Sequence, residues 1–265
     1  MAKYKKVLFL LVLNIIWGML TVESETIEND KNLLSIPERI IVISYNIHIG
    51  KGLDNKLDLE RIANVISQAD IVGLNEVDKY APRTYIMNQP GRLAHLTGMN
   101  MAFGPAFSKF AVWKFGNVIL SKEPILSYRN HLLPRKGKRE RRAMLEADLG
   151  WLKVFVTHLS LDKEERNKQV DEILRITSNV KGPIILMGDF NAEPNSQEIQ
   201  KIKRHFIDAG INAGPTIPAN NPTCRIDYVF VRNLVPVSAS VIDTKASDHR
   251  PLKVILKPLK LGTKY

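Results

Sequence analysis

Cysteine is almost absent: Cys224 is the only one in 265 residues. That excludes an internal disulfide, a cysteine-ligated zinc site and an iron–sulfur cluster, and leaves any exported form to rely on core packing. Cys224 itself reads as a small packing residue. No segment repeats at a period of roughly 20 to 50 residues, and no stretch is low in complexity, so solenoids and propellers are excluded. Long apolar runs are missing too. The longest, Val7 to Leu20, is broken by Asn14 and Gly18 and falls short of the ~20 residues a spanning helix needs. Acidic residues are in deficit, 27 against 38 lysines and arginines, giving a formal net charge of +11. Such charge attracts polyanions (nucleic acid, anionic lipid, cell-wall polymers) through its long-range field without choosing among them.

Lys3, Lys5 and Lys6 precede the apolar run, which is the pattern of a secretory signal peptide. Residues 1–24 are therefore expected to be a signal peptide, or alternatively an uncleaved anchor that brings the protein to a membrane. Residues 25–37 are polar and acidic without periodicity and read as a linker. Residues 38–260 then form one domain, in a protein expected to be secreted or held at the cell surface as a monomer. At 45% hydrophobic composition that length buries a substantial core.

Within the domain, Arg39 to Tyr45 reads as a buried strand and Ile71 to Leu74 as a second, ending at Glu76. Leu57, Leu59, Ile62, Ala63 and Ile66 fall at helical spacing with Asp58 placed to cap, which predicts a helix to about Gln68. A short helix over Arg92 to Leu96 closes at Gly98. Asn117–Leu120, Ala143–Leu149 and Lys153–Thr157 read as strands, the last two joined at Gly150-Trp151. Asp162 to Asn179 is the longest helix, and Ser196 caps another through about Lys203. Pro183–Met187, Ile226–Val231, Val237–Ile242 and Leu252–Leu256 supply the remaining strands. Strand runs and hairpins with helices between them indicate two sheets face to face with helices outside, an α/β class.

Polar motifs stand at the ends of these apolar runs: Ser44-Tyr45-Asn46, Leu74-Asn75-Glu76-Val77, Thr157-His158-Leu159, Gly188-Asp189-Phe190-Asn191-Ala192, Arg225-Ile226-Asp227-Tyr228 and Ser247-Asp248-His249-Arg250-Pro251. Carboxylates, amides and histidines without thiols suit a hard, oxygen-loving cation and a phosphate. In this order the motifs closely resemble those of the endonuclease/exonuclease/phosphatase superfamily, over residues 38 to 258. The resemblance implies a four-layer α/β/β/α sandwich with two mainly antiparallel sheets, and hydrolysis of a phosphate ester.

It also implies roles. Glu76 is the expected metal ligand, and a carboxylate after an apolar strand would be costly to bury unbound. Asp248 joins it as a ligand or supports one. Asn46 and Asn117 are expected to contact the substrate phosphate. Asp189 would orient or deprotonate the attacking water, with Asn191 donating to the phosphate. Asp227 would hold His249, which acts on the transition state, because a carboxylate at one ring nitrogen fixes the tautomer and favours the cation. His158 matches the second histidine of the deoxyribonuclease and sphingomyelinase branches, a candidate acid for the leaving oxygen. His48 stands where some relatives carry a metal-binding aspartate, and is expected to support the ligands rather than be one. Arg83 reads as a solvated loop arginine.

The expected activity is that of a divalent-metal-dependent phosphoesterase, with Mg²⁺ first and Mn²⁺ or Ca²⁺ as alternatives, cutting a nuclease-like phosphodiester. The basic run Arg135, Lys136, Lys138, Arg139, Arg141, Arg142 either holds a polyanion backbone or is a solvated hairpin tip. A lipid or inositol-phosphate substrate is the rival within the class; a sphingomyelinase-like enzyme would expose an aromatic hairpin, for which Trp113 and Phe115 are the nearby candidates. A surface polyanion-binding protein with little activity is the rival from another class.

Overall fold

A computed structural model describes residues 37–259. The expected signal peptide and all of the linker except residue 37 lie outside them. Among the described residues no helix is long and apolar enough to cross a membrane.

Among the described residues twelve strands form two mixed sheets of six. In the first, β1 (Ile40–Asn46), β2 (Ile71–Lys79), β3 (Asn100–Lys109), β4 (Trp113–Ser121), β11 (Leu234–Val241) and β12 (Leu252–Pro258) lie in the order β11-β12-β1-β2-β4-β3. In the second, β5 (Ser127–Leu132), β6 (Ala143–Asp148), β7 (Lys153–His158), β8 (Ile184–Asp189), β9 (Ile207–Asp208) and β10 (Asp227–Arg232) lie in the order β5-β6-β7-β8-β10-β9. Each sheet has one parallel pair near its centre, β1 with β2 and β7 with β8, and every other pairing is antiparallel.

The period of two along each strand sorts its side chains into layers. Val42, Ile71, Ile119, Val154, Val156, Ile185, Met187, Val229, Leu252 and Val254 meet between the sheets. Gly73 belongs to the same layer; a Cβ there would come within 2.7 Å of Val156 Cγ2. The alternate residues Ile43, Tyr45, Val72, Leu74, Val118 and Leu120 face outward beneath α1 (Leu59–Ile66) and α2 (Gln89–Thr97). On the far side Phe155, Ile184, Leu186, Tyr228 and Phe230 pack against α3 (Lys163–Ser178) and α4 (Gln197–Lys203). Each fully buried aliphatic chain contributes roughly 1.5–3 kcal/mol, so three such layers explain why α/β/β/α is the stable arrangement.

Asp58, Asp162 and Ser196 cap their helices as the sequence predicts. Several elements differ from expectation. The strand through Ile71 runs on to Lys79, carried past a bulge between Leu74 and Val77. The short second helix begins at Gln89 instead of Arg92, because the Asn88 side chain accepts from Gly91 N at 3.3 Å. The strands β3 and β5 have no counterpart in the sequence reading: β3 carries Gly104 and Pro105, and β5 is an edge strand with mostly exposed side chains.

Candidate active site

Following the inter-sheet face towards one end, the layer changes from apolar to polar. Asn46 continues Val42 and Ser44, Asn75 continues Ile71 and Gly73, His158 continues Val154 and Val156, and Asp189 continues Ile185 and Met187. All four are buried. The strand parity that builds the core therefore delivers these groups to one rim.

Asn46 joins the two sheets. Its amide nitrogen donates to Glu76 Oε1 and to Asp189 Oδ2, both at 3.1 Å, while its oxygen accepts from His48 N. Glu76 sits in the β2 bulge at φ +57°, a left-handed conformation rarely held by a side-chain-bearing residue. Asp189 follows Gly188, whose φ of +136° and close approach to the Thr157 carbonyl leave no room for a Cβ. Phe190 then turns into the outer core, edge-on to Tyr228 and Phe230. The Tyr228 hydroxyl lies 2.9 Å from Ala192 O and 3.1 Å from Arg225 O, tying two site loops together.

Around Asp189 Oδ2 stand two rings, His158 Nε2 at 3.5 Å and His249 Nε2 at 3.8 Å. Asp227 Oδ2 faces His249 Nδ1 at 2.9 Å and accepts from Thr216 Oγ1 at 2.6 Å. Arg142 Nη1 lies 3.3 Å from His158 Nδ1. Ser247 donates to Asn46 O at 2.8 Å, which seats Asp248 and His249 at the end of β1. His48 Nδ1 is 3.8 Å from Asp248 Oδ1, both side chains half exposed.

These surroundings shift the titrations in opposite directions. Burial, then the charge of Asp227, push the Asp189 carboxyl up to about 7 against the pull of His249 and its hydrogen bonds. Burial alone would lower the His249 pKa, but the charge and hydrogen bond of Asp227, with Asp189 and Asp248 adding, outweigh it and carry the ring to about 10. Burial, Arg142 and His249 all act to hold His158 well below the usual imidazole range.

The donor set fits a divalent cation. Among the described residues no lysine or arginine pairs with Glu76, Asp189 or Asp248, in a chain whose bases outnumber its acids. An oxygen each of Asp189 and Asp227 and a ring nitrogen of His249 also lie within 4.8 Å of one another. Asp227 Oδ2 is engaged by Thr216 and His249, while His249 Nε2 stands 3.8 Å from Asp189 Oδ2; Glu76 and Asp248 are further carboxylates at this rim.

Of the expected residues, the structure brings together Asn46, Glu76, His158, Asp189, Asn191, Asp227, Asp248 and His249. Asn191, at φ +47°, donates to Leu159 O at 2.9 Å and keeps a second amide hydrogen. Asn117 lies beside the site but is spent as a strut. It donates to Ala143 O at 2.9 Å and Val156 O at 3.4 Å and accepts from Asn75, which leaves its amide nothing for a phosphate. Arg83 is exposed, as expected of a loop arginine, but it is also anchored. It forms a two-pronged pair with buried Asp78, at 2.7 and 2.9 Å, and lies over Trp113 and Phe115.

The sequence reading missed three supports. Asn75 links Asn117, Thr157 O and Asp189 N, and its parity with Ile71 and Gly73 was the available signal. Thr216 carried no signal, since nothing local marks a loop threonine as a partner for Asp227. Arg142 was hidden inside a basic run.

The sequence model of the endonuclease/exonuclease/phosphatase family matches residues 43–249. A crystal structure of an endonuclease/exonuclease/phosphatase from Beutenbergia cavernae superposes with a TM-score of 0.72 at 28% identity, covering 84% of this chain and 72% of that one. A mannosyl-6-phosphatase of Bacteroides thetaiotaomicron shares the fold, with a TM-score of 0.66 at 20% identity over 82% of this chain and 99% of that one. A UPF0294 protein of Yersinia pseudotuberculosis is 33% identical over 108 residues, which is 40% of this chain. The match spans only 41% of that relative.

Proposed function

Because the chain belongs to the endonuclease/exonuclease/phosphatase family, hydrolases that act on phosphoesters, we propose that it is a divalent-metal-dependent phosphodiesterase with a nuclease-like substrate. The observation that carries this is the convergence of Asn46, His158 and His249 on one oxygen of Asp189, beside a strained Glu76 that has no cationic side-chain partner among the described residues. Glu76 and Asp248 would hold the ion, with Mg²⁺ the first choice and Mn²⁺ or Ca²⁺ alternatives, which supplies neutralisation of phosphoryl charge. Asp189, with its affinity for protons raised towards neutrality, takes a proton from the attacking water. His249, held cationic by Asp227, offers Nε2–H to an oxygen of the phosphate. Asn191 offers its free amide hydrogen to the same group. Export, as a secreted or cell-surface monomer, is part of the proposal and rests on the basic head and apolar run of the N-terminus.

The basic loop supports a polyanionic substrate. Arg139 pairs with Asp162, Lys136 with Glu164, and Arg142 with Glu140. Arg135, Lys138 and Arg141 make no such pair among the described residues. Arg135 and Arg141 line a groove of about 490 Å³ with Phe107, Ser108, Asn130 and Leu132. The loop ends at Ala143, the first residue of β6, whose carbonyl accepts from Asn117 beside the site.

One observation favours a lipid phosphoester instead. Phe110 is 84% exposed and Tyr85 82%, with Ile86 and Val112 also exposed. Phe110, Tyr85 and Ile86 all hold positive φ, and Lys109 and Lys114 flank the hairpin. Turnover of DNA, RNA, sphingomyelin, inositol phosphates and a generic phosphodiester, each with Mg²⁺ and with excess EDTA, separates the readings. Activity that survives EDTA overturns the metal assignment. Tight DNA binding without turnover of any substrate would make the protein a polyanion binder.

A further inference from the structure

Arg142 differs from its neighbours in the basic run. Arg135, Lys136, Lys138 and Arg139 are exposed, whereas Arg142 is only 8% exposed. Burying a guanidinium is costly unless its hydrogens are used. Here Nη1 serves two partners, Glu140 Oε1 at 2.8 Å and His158 Nδ1 at 3.3 Å. A guanidinium has only donors and stays protonated in proteins. The nitrogen it meets must therefore present a lone pair, which leaves the ring's single proton on Nε2, the atom 3.5 Å from Asp189 Oδ2.

We propose that Arg142 is a positioning residue that fixes His158 as the neutral Nε2–H tautomer, so that His158 gives the reacting phosphate a hydrogen bond and not a proton. This rests on the phosphoester-hydrolase reading of the site. The chemistry separates the two rings. Loss of Nε2–H from a neutral imidazole would leave an imidazolate, so the proton for the leaving oxygen has to come from another group. His249 is the ring placed for that role by geometry: its Nδ1 faces the Asp227 carboxylate at 2.9 Å, which leaves Nε2 directed towards the site. A guanidinium behind one histidine and a carboxylate behind the other divide the labour, and the expectation that His158 is the acid is replaced by His249. The groups that face His158 are Arg142 before β6, Asp189 at the end of β8 and His249 before β12; of these Arg142 and His249 oppose a second positive charge on the ring.

The test is ring nitrogen NMR of histidine-labelled protein in EDTA and again with Mg²⁺, with His158→Gln used for assignment among the six histidines. At pH 7 the wild-type His158 signal should show a bare Nδ1 and a protonated Nε2. Arg142→Ala should mix the tautomers and let the ring titrate at higher pH. It should also lower kcat roughly 10- to 100-fold, the usual effect of removing a partner that orients a site imidazole, with KM changing less than kcat. Arg142→Lys, which keeps a donor and a charge, should recover part of both signals. A wild-type His158 protonated on Nδ1, or on both nitrogens, at pH 7 overturns the proposal, and this measurement needs no variant to fold. So does an Arg142→Ala protein with unchanged kcat and unchanged ring signals. If no phosphoester is turned over while the ring reads Nε2–H, the functional reading falls and the tautomer assignment survives.

Discussion

Thr216 donates its hydroxyl to Asp227 Oδ2 at 2.6 Å, the same oxygen that faces His249 Nδ1 at 2.9 Å. That oxygen is fixed from two sides, so the imidazole behind it has one orientation. His249→Ala should lower kcat by roughly the 10²- to 10⁴-fold that a positioned acid–base group supplies. Asp227→Asn should reproduce part of that loss, and the double variant should be far from additive. Steady-state kinetics on the four proteins checks this; additive losses would show that the two residues act separately.

Glu76→Gln removes a carboxylate whose only protein partner among the described residues is the Asn46 amide. Mg²⁺ should raise the melting temperature of the wild type, and the increment should shrink in the variant, because an ion that binds only the folded state stabilises by mass action. Melting curves with and without Mg²⁺ test this apart from turnover. An equal increment in both proteins would exclude Glu76 as a ligand.

Asn75→Ala should destabilise more than any change at the catalytic rim. Its amide serves Asn117 Oδ1 and Thr157 O, and its oxygen accepts from Asp189 N, all at 2.9 Å and fully buried. Leaving such groups unpaired costs about 1–3 kcal/mol each, so a fall in unfolding free energy of about 2 kcal/mol or more is expected from denaturant titration. A variant as stable as wild type would mean water replaces the amide.

His158 gives stability a pH dependence in chelator. Its folded pKa lies well below that of the unfolded chain, about 6.5. Below pH 6.5 the unfolded state binds a proton that the folded ring refuses, so the contribution is complete above 6.5 and is lost as pH falls towards the folded value. Urea unfolding from pH 7.5 down to pH 5 should therefore show a steeper loss in wild type than in His158→Gln. Parallel curves would contradict the neutral ring.

In the basic loop, neutralising Arg135, Lys138 and Arg141 together should flatten the salt dependence of DNA binding. The expected change is roughly 0.7 to 0.9 log units per lost phosphate contact. Lys136→Ala and Arg139→Ala should change the slope less, since Glu164 and Asp162 already occupy them. Equal slopes throughout would reduce the loop to solvated charge.

Much of this architecture was legible in the chain because strand parity and helix caps are local. The β-branched run Ile40–Ile43, the caps Asp58, Asp162 and Ser196, and the alternation in Gly188-Asp189-Phe190-Asn191 all carry their structure in neighbouring residues. What escaped depended on distant ones. β5 is held by its pairing with β6 and shows no alternation of its own. Asn117 has the residue type of a phosphate ligand, but Asn75 and two carbonyls claim it first. Arg142 looks like any other base until β7 places His158 behind it. The bulge that turns Glu76 is invisible in Leu74-Asn75-Glu76-Val77, since it exists only against β4.

The seam between Ser247 and Asn46, residues 201 positions apart, has a consequence for synthesis. β12 lies between β1 and β11, so the first sheet cannot close until nearly the whole domain has left the ribosome. Such long-range pairing is slow to form. The hydrogen bond that seats Asp248 and His249 forms only at that closure. A chain that ends before residue 247 holds Asn46, Glu76 and Asp189 with no His249 opposite them, so the polar rim is completed only at that closure.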